Sequence, residues 1–167
     1  MNTQSYGWRS IRLRLFLLFA IVIAAVLFYA VTDVMTQWST RNAMARGVQY
    51  SQLSVQINAV VHELQKERGL SAGFIGSRGG RFKAELATQH QESDKARTAL
   101  DAWLATTDRA QLGEQIEKAL AEAQSRMAEL PAVRSRVTGL GIPGPESFNY
   151  FTATIERLIT VINIAAA

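Results

Sequence analysis

The chain has 167 residues, 18 Lys+Arg against 14 Asp+Glu, 48% hydrophobic residues and no cysteine. Without cysteine there is no disulfide framework, no thiol nucleophile and no cysteine metal site, so the fold must rest on its core. Three arginines precede residue 15 with no acid among them, which leaves residues 33–167 with 15 positive and 14 negative charges, a net of +1. No basic stripe for nucleic acid survives that count.

Arg9, Arg12 and Arg14 lead into an uncharged apolar run, Leu15 to Thr32. Its 18 residues, at about 1.5 Å rise each, give roughly 27 Å of helix, enough to cross a bilayer core. The arginines predict a cytoplasmic amino terminus, with Trp8, Tyr29 and Trp38 in the interfacial belts. On this reading residues 1–14 are a cytoplasmic basic tail and 15–32 a transmembrane helix. Residues 33–167 are an extracytoplasmic sensor domain, which in a chain crossing the inner membrane once is periplasmic. A cleavable signal peptide shares the layout, but this run is longer than a secretory core. Its end, Leu27-Phe28-Tyr29-Ala30, is bulky where cleavage wants small residues.

From Thr32 to Ser71 there is no proline, and Gly47 is the only glycine before Gly69, so the membrane helix can run on unbroken. Leu53, Ile57, Val60 and Leu64 step by four, three and four, the spacing of a core-facing stripe. Gly73 to Gly80 ends that helix. A second helix is predicted over Arg81 to Ala105, offering Phe82, Leu86, Ala96, Leu100, Trp103 and Leu104 to the core.

Thr107-Asp108 suits the cap of a third helix through Leu130, with Ile116, Leu120, Ala123 and Met127 inward. Glu114–Lys118 and Glu122–Arg126 are candidate i,i+4 pairs on its wet side. Pro131 ends or kinks that helix, and Val133 to Val137 adds a turn. Thr138 to Pro145 reads as a loop. Pro145 and Glu146 suit the first turn of a fourth helix, whose apolar face is Phe148, Phe151, Ile155, Leu158, Ile159 and Ile162. Nothing alternates as a strand. The fold class is all-α, a transmembrane helix running into an antiparallel helical bundle. The last helix meets the end of the chain without a stop signal, so the domain is expected to be incomplete there, the first piece of a longer receptor.

The stripe of the first long helix, extended by the same steps, lands on Glu67 and Ser71, with Arg68 and Ala72 beside them. Charge therefore arrives where Leu or Val would be expected, and a buried charge needs a partner. Two readings are open. Glu67, or another carboxylate, pairs with Arg68 to fix helix register; or Arg68, with Ser71 and Glu67 beside it, forms a pocket for a small oxyanion, which the guanidinium fork fits.

Gln65-Lys-Glu-Arg-Gly-Leu-Ser-Ala-Gly-Phe74, the glycine-rich turn, Phe82, Leu86, Gln89 and Asp94 resemble the opening of the nitrate- and nitrite-sensing (NIT) domain. Tyr150-Phe-Thr-Ala-Thr-Ile155 and Leu158-Ile159 resemble a later helix of that family. The resemblance implies an all-helical extracytoplasmic domain that senses nitrate or nitrite and regulates a linked output module. It maps the family's ligand-contacting arginine onto Arg68. The family draws a second arginine from later in the domain, and no second Glu-Arg motif of this kind occurs here. The expected partners are a small anion (nitrate or nitrite), the lipid bilayer and a second copy of the chain.

Signals of catalysis are missing. His62-Glu63 begins like a zinc-protease motif, but Lys66 stands where the second histidine belongs. Gly76 to Gly80 lacks the ending of a phosphate loop and any strand before it. Ser71 has no histidine at helical spacing to activate it. No enzyme, metal or cofactor is expected.

Overall fold

The computed structural model describes the backbone of residues 6–166 and the side chains of 15–33, 35 and 47–166. Five helices follow in order: α1 (Tyr6–Gly76), α2 (Lys83–Thr106), α3 (Glu114–Ala128), α4 (Leu130–Thr138) and α5 (Gly144–Ala165), with a 3-10 turn at Arg109–Gln111. No strand occurs among the described residues. The chain divides into two compact units, Met1–Ala45 and Arg46–Ala167.

In the first unit, Leu15–Asp33 is a helical stretch long and apolar enough to cross a membrane, with none of it buried. Near its end, Thr32 Oγ1 lies 3.0 Å from the Phe28 carbonyl and 2.9 Å from that of Tyr29. Such back-bonding satisfies a polar group without water. The side chains of Trp8, Arg9, Arg12, Arg14 and Trp38, on which the expected orientation rests, lie outside the described residues.

In the second unit, α1 from Arg46 onward joins α2 to α5 around one core. Leu53, Ile57, Val60 and Leu64 are all sealed from solvent, as their spacing requires, and Leu86, Leu100, Leu120, Val137, Phe151 and Leu158 meet them. Each large apolar side chain buried this fully contributes about 1.5–3 kcal/mol, against ~0.3–0.5 for an exposed i,i+4 ion pair. The stripes, not the surface charges, decide which faces turn inward. α1 lies against both α2 and α5, and α3 lies against α5. Glu63 of α1 meets Gln89 of α2, Arg68 meets Thr152 of α5, and Arg126 of α3 meets Tyr150 of α5.

Several local expectations change. Asp108 caps the 3-10 turn, accepting from the Ala110 amide at 3.3 Å, and α3 starts only after Gly113, whose φ of +87° redirects the chain. Glu122 does not pair with Arg126. It takes Arg157 of α5 at 2.8 Å, and Arg126 turns to Glu129 at 3.6 Å. No ion pair joins Glu114 to Lys118 among the described residues; Glu117 holds Arg109 instead, at 2.6 Å.

Pro131 breaks the third helix as expected, and α4 starts afresh with that proline in its first turn, where a missing N–H costs nothing. On α5 the inward face is Ser147, Tyr150, Phe151, Thr154, Ile155, Leu158 and Val161. Phe148 and Ile159, expected inside, are 44% and 38% exposed because they sit one step beyond the edge of that face.

Candidate anion site and the ion pair beside it

Extending the α1 stripe places Glu67 and Ser71 where the sequence predicts, both buried, with Arg68 half-buried next to Glu67. Successive helix residues point about 100° apart, so Glu67 and Arg68 leave α1 toward different neighbours. The Glu67–Arg68 pair expected as one reading does not form.

Glu67 faces α4. Arg134 Nε donates to one of its oxygens at 2.8 Å and Nη2 to the other at 2.9 Å, a two-pronged contact. Arg134 Nη1 also donates to Asp94 of α2 at 2.7 Å, and Nη2 reaches the His90 carbonyl at 3.3 Å. Burial opposes the charge on Arg134, but its hydrogen bonds to Glu67 and Asp94 outweigh this and hold the guanidinium above its ordinary range. The His90 Nε2 lies 3.6 Å from Glu67. Burial pushes the imidazole below its ordinary value, and the Arg134 cation adds to this against the pull of Glu67 and Asp94.

One turn earlier, the Gln89 amide donates to the Glu63 carboxylate at 2.7 Å and to its carbonyl at 3.1 Å. That hydrogen bond is the main cause of the lowered Glu63 pKa, and Lys66 at 3.0 Å assists.

Arg68 faces α5. Its Nη1 donates to Thr152 Oγ1 at 2.9 Å, and its guanidinium lies 4.5 Å above the centre of the Phe148 ring. No carboxylate pairs with Arg68 among the described residues. Among the described residues the Nε and Nη2 donors make no hydrogen bond, so the cation keeps capacity for an anion. One turn on, the Ser71 hydroxyl is buried without a partner, as is Ser147 on α5. With Arg68 opposite Thr152 and Ile75 beside Gly144, the antiparallel register sets Ser71 level with Ser147.

The sequence singles out Arg68, Ser71 and Glu67 as candidate ligand-binding residues but not what surrounds them. Arg134 stands one step from buried Val133 on α4, and nothing in Val133-Arg-Ser-Arg136 separates it from Arg136, which pairs with Glu146 on the surface at 2.8 Å. Thr152 and Phe148 become visible as partners only through the α1–α5 register.

The molecule is therefore an all-helical bundle with a carboxylate-free arginine on one helix seam and a buried ion pair on the next. Residues 59–167 match the family model for nitrate and nitrite sensing (NIT), and the chain belongs to that family. The solved structure of the NasR transcription antiterminator is similar, with a TM-score of 0.69 and 28% identity. The match covers 81% of this chain and 38% of that one, so this chain spans well under half of the protein it resembles. Among curated proteins none matches.

Proposed function

We propose that this chain is a membrane-anchored sensor in which a small planar oxyanion, nitrate or nitrite, docks on Arg68 at the α1–α5 seam. The observation that carries this is the state of Arg68: a half-buried cation, oriented by Thr152 and Phe148, with no carboxylate against it. A guanidinium offers a planar oxyanion two parallel hydrogen bonds, and contact with an aromatic face fixes its plane. The Ser71 hydroxyl supplies a further donor within the seam. Glu67, held by Arg134, acts by fixing α1 rather than by touching an anion, because a carboxylate would repel it.

Leu15–Asp33 anchors the chain, with the bundle outside the cytoplasm, and the receptor works as a homodimer. Binding biases the packing of the bundle, and α1 carries that bias to the span. The shift cannot exceed the ligand's difference in affinity between two packings.

Thermal unfolding of the full chain in detergent, with nitrate, nitrite, chloride or a small carboxylate such as acetate, tests the site. A rise in Tm with nitrate or nitrite but not chloride, absent in Arg68→Ala, is the expected result. An equal rise with chloride, or one that survives in Arg68→Ala, overturns it. A rise confined to small carboxylates would keep the site and change the ligand. No anion effect in a well-folded chain would make Arg68 a structural pin between α1 and α5.

A further inference from the structure

A groove of about 280 Å³ lies between α2 and the break from α3 to α4, lined by Arg97, Asp101, Gln124, Met127, Ala128 and Pro131. Three of these six are apolar and sit at the break. The other three put a cation, an anion and an amide into the same small space.

Arg97 and Asp101 stand four residues apart on α2, a spacing at which opposite charges commonly pair. Here they do not. Among the described residues no ion pair joins them. Neither the Asp101 carboxylate nor the Gln124 amide makes a hydrogen bond there either. The backbone explains the gap. Pro131 has no N–H to offer the Met127 carbonyl four residues before it, and Arg97 Nη1 reaches that carbonyl instead, at 3.5 Å. The half-buried guanidinium is thereby drawn across to α3 and away from Asp101. Among the described residues its Nε and Nη2 donors stay unused.

We infer that this groove binds a small α-amino acid as the zwitterion, its carboxylate on Arg97 and its ammonium on Asp101. Charge complementarity selects that occupant. Both charged groups of an α-amino acid hang from one carbon by bonds of about 1.5 Å, so their partners must stand close together without touching. Side chains at i and i+4, with Cβ atoms about 5–6 Å apart, meet that condition. The free edge of a guanidinium takes a carboxylate in two parallel hydrogen bonds. The Gln124 carbonyl oxygen can accept a further ammonium proton, and Met127, Ala128 and Pro131 offer an apolar wall to the ligand's side chain. The volume lies just under the ~300–1,000 Å³ of sites for drug-sized molecules, so the ligand is small. A simple anion is the poorer fit, because it would bring its charge up to Asp101. Arg68, by contrast, has no carboxylate against it among the described residues, and the two sites are independent.

Tm of the full chain in detergent, with L-alanine, L-valine, D-valine, acetate or methylammonium, tests the groove. The two L-amino acids should raise Tm saturably, and D-valine and the two half-ligands should do so far less. Asp101→Asn and Arg97→Gln should each weaken half-saturation by L-valine at least about tenfold. Asp101 is exposed, so its replacement spares the core and decides the matter if Arg97→Gln does not fold. Equal rises with L- and D-valine would mark a general solute effect on the folded state, and an equal rise with acetate would mark a plain anion site. Either outcome overturns the inference, as does no rise with either L-amino acid or a rise that survives Asp101→Asn. The nitrate response, read on the same variants, should be intact, so a failure at Arg68 and a failure here are seen separately.

Discussion

Arg134 grips both carboxylate oxygens of Glu67, at 2.8 and 2.9 Å, where Glu67 has no solvent exposure at all. The two ends of this pair are not equally replaceable. Arg134 has a second carboxylate, Asp94, at 2.7 Å; among the described residues Glu67 has besides only the neutral His90, at 3.6 Å. Removing one partner of a buried pair costs ~3–5 kcal/mol, mostly the penalty of the charge left behind. Arg134→Met should therefore fall at the upper end of that range in urea unfolding, and Glu67→Gln at or below the lower end. Equal losses would mean that Asp94 does not share the charge.

His90 gives the wild-type chain an acid dependence of its own. Its pKa lies below the ordinary 6.5 when folded, chiefly through burial and then through Arg134, despite Glu67 and Asp94. The folded state then binds fewer protons than the unfolded chain over this interval, so protons favour unfolding. The stabilising contribution is complete above pH about 6.5 and is lost as pH falls through the folded value. Glu63, also lowered, acts in the same direction but only below its ordinary 4.5. Tm should fall from pH 7 to 5, and His90→Gln should flatten that interval while leaving the drop below pH 4.5. An unchanged slope in His90→Gln would assign the acid sensitivity elsewhere.

Gly69 and Gly73 lie one turn apart near the end of α1 and should respond oppositely to alanine. Nothing lies within 4 Å of a Cβ at Gly69, so Gly69→Ala should gain the helix-propensity difference, about 0.5–1 kcal/mol. A Cβ at Gly73 would sit 2.8 Å from Cδ2 of Phe82, whose left-handed backbone (φ 67°) turns the chain into α2. Overpacking of this kind costs ~1–3 kcal/mol, so Gly73→Ala should destabilise. Combining it with Phe82→Leu should recover part of that loss. Additive losses in the double variant would show that the ring is not what the methyl group meets.

The sequence carried the elements that repeat and missed those that need a partner. The 53, 57, 60, 64, 67, 71 stripe was legible because its spacing is a property of one helix, and every member of it is buried. The start of α3 was misplaced because Asp108 caps equally well a 3-10 turn, and only Gly113 separates the two. Glu67 could be singled out because it breaks an apolar pattern, and Arg68 because it stands next to Glu67 and the family resemblance maps a ligand-contacting arginine onto it. Its expected neighbour in sequence, Glu67, was the wrong partner, since adjacent helix residues diverge and the choice among Arg68, Arg126, Arg134 and Arg136 is made by packing between helices. Phe148 was read as core because aromatics usually are; here its face supports Arg68.

Thr152 separates a positioning role from a structural one at the proposed site. Its hydroxyl accepts from Arg68 Nη1 at 2.9 Å and sits half-buried between α1 and α5. Thr152→Val keeps the branched shape and removes the acceptor. A lost hydrogen bond of this kind costs the fold about 0.5–1.5 kcal/mol, and the freed guanidinium, still on Phe148, can turn to water. Anion binding should suffer more than stability, because recognition of a planar oxyanion depends on the plane and direction of the fork. The nitrate-dependent rise in Tm should shrink in Thr152→Val, with the unliganded Tm little changed, and Thr152→Ser should restore it. A full nitrate response in Thr152→Val would mean that Phe148 alone sets the guanidinium. A large fall in the unliganded Tm would make the Arg68–Thr152 contact primarily a clamp between α1 and α5.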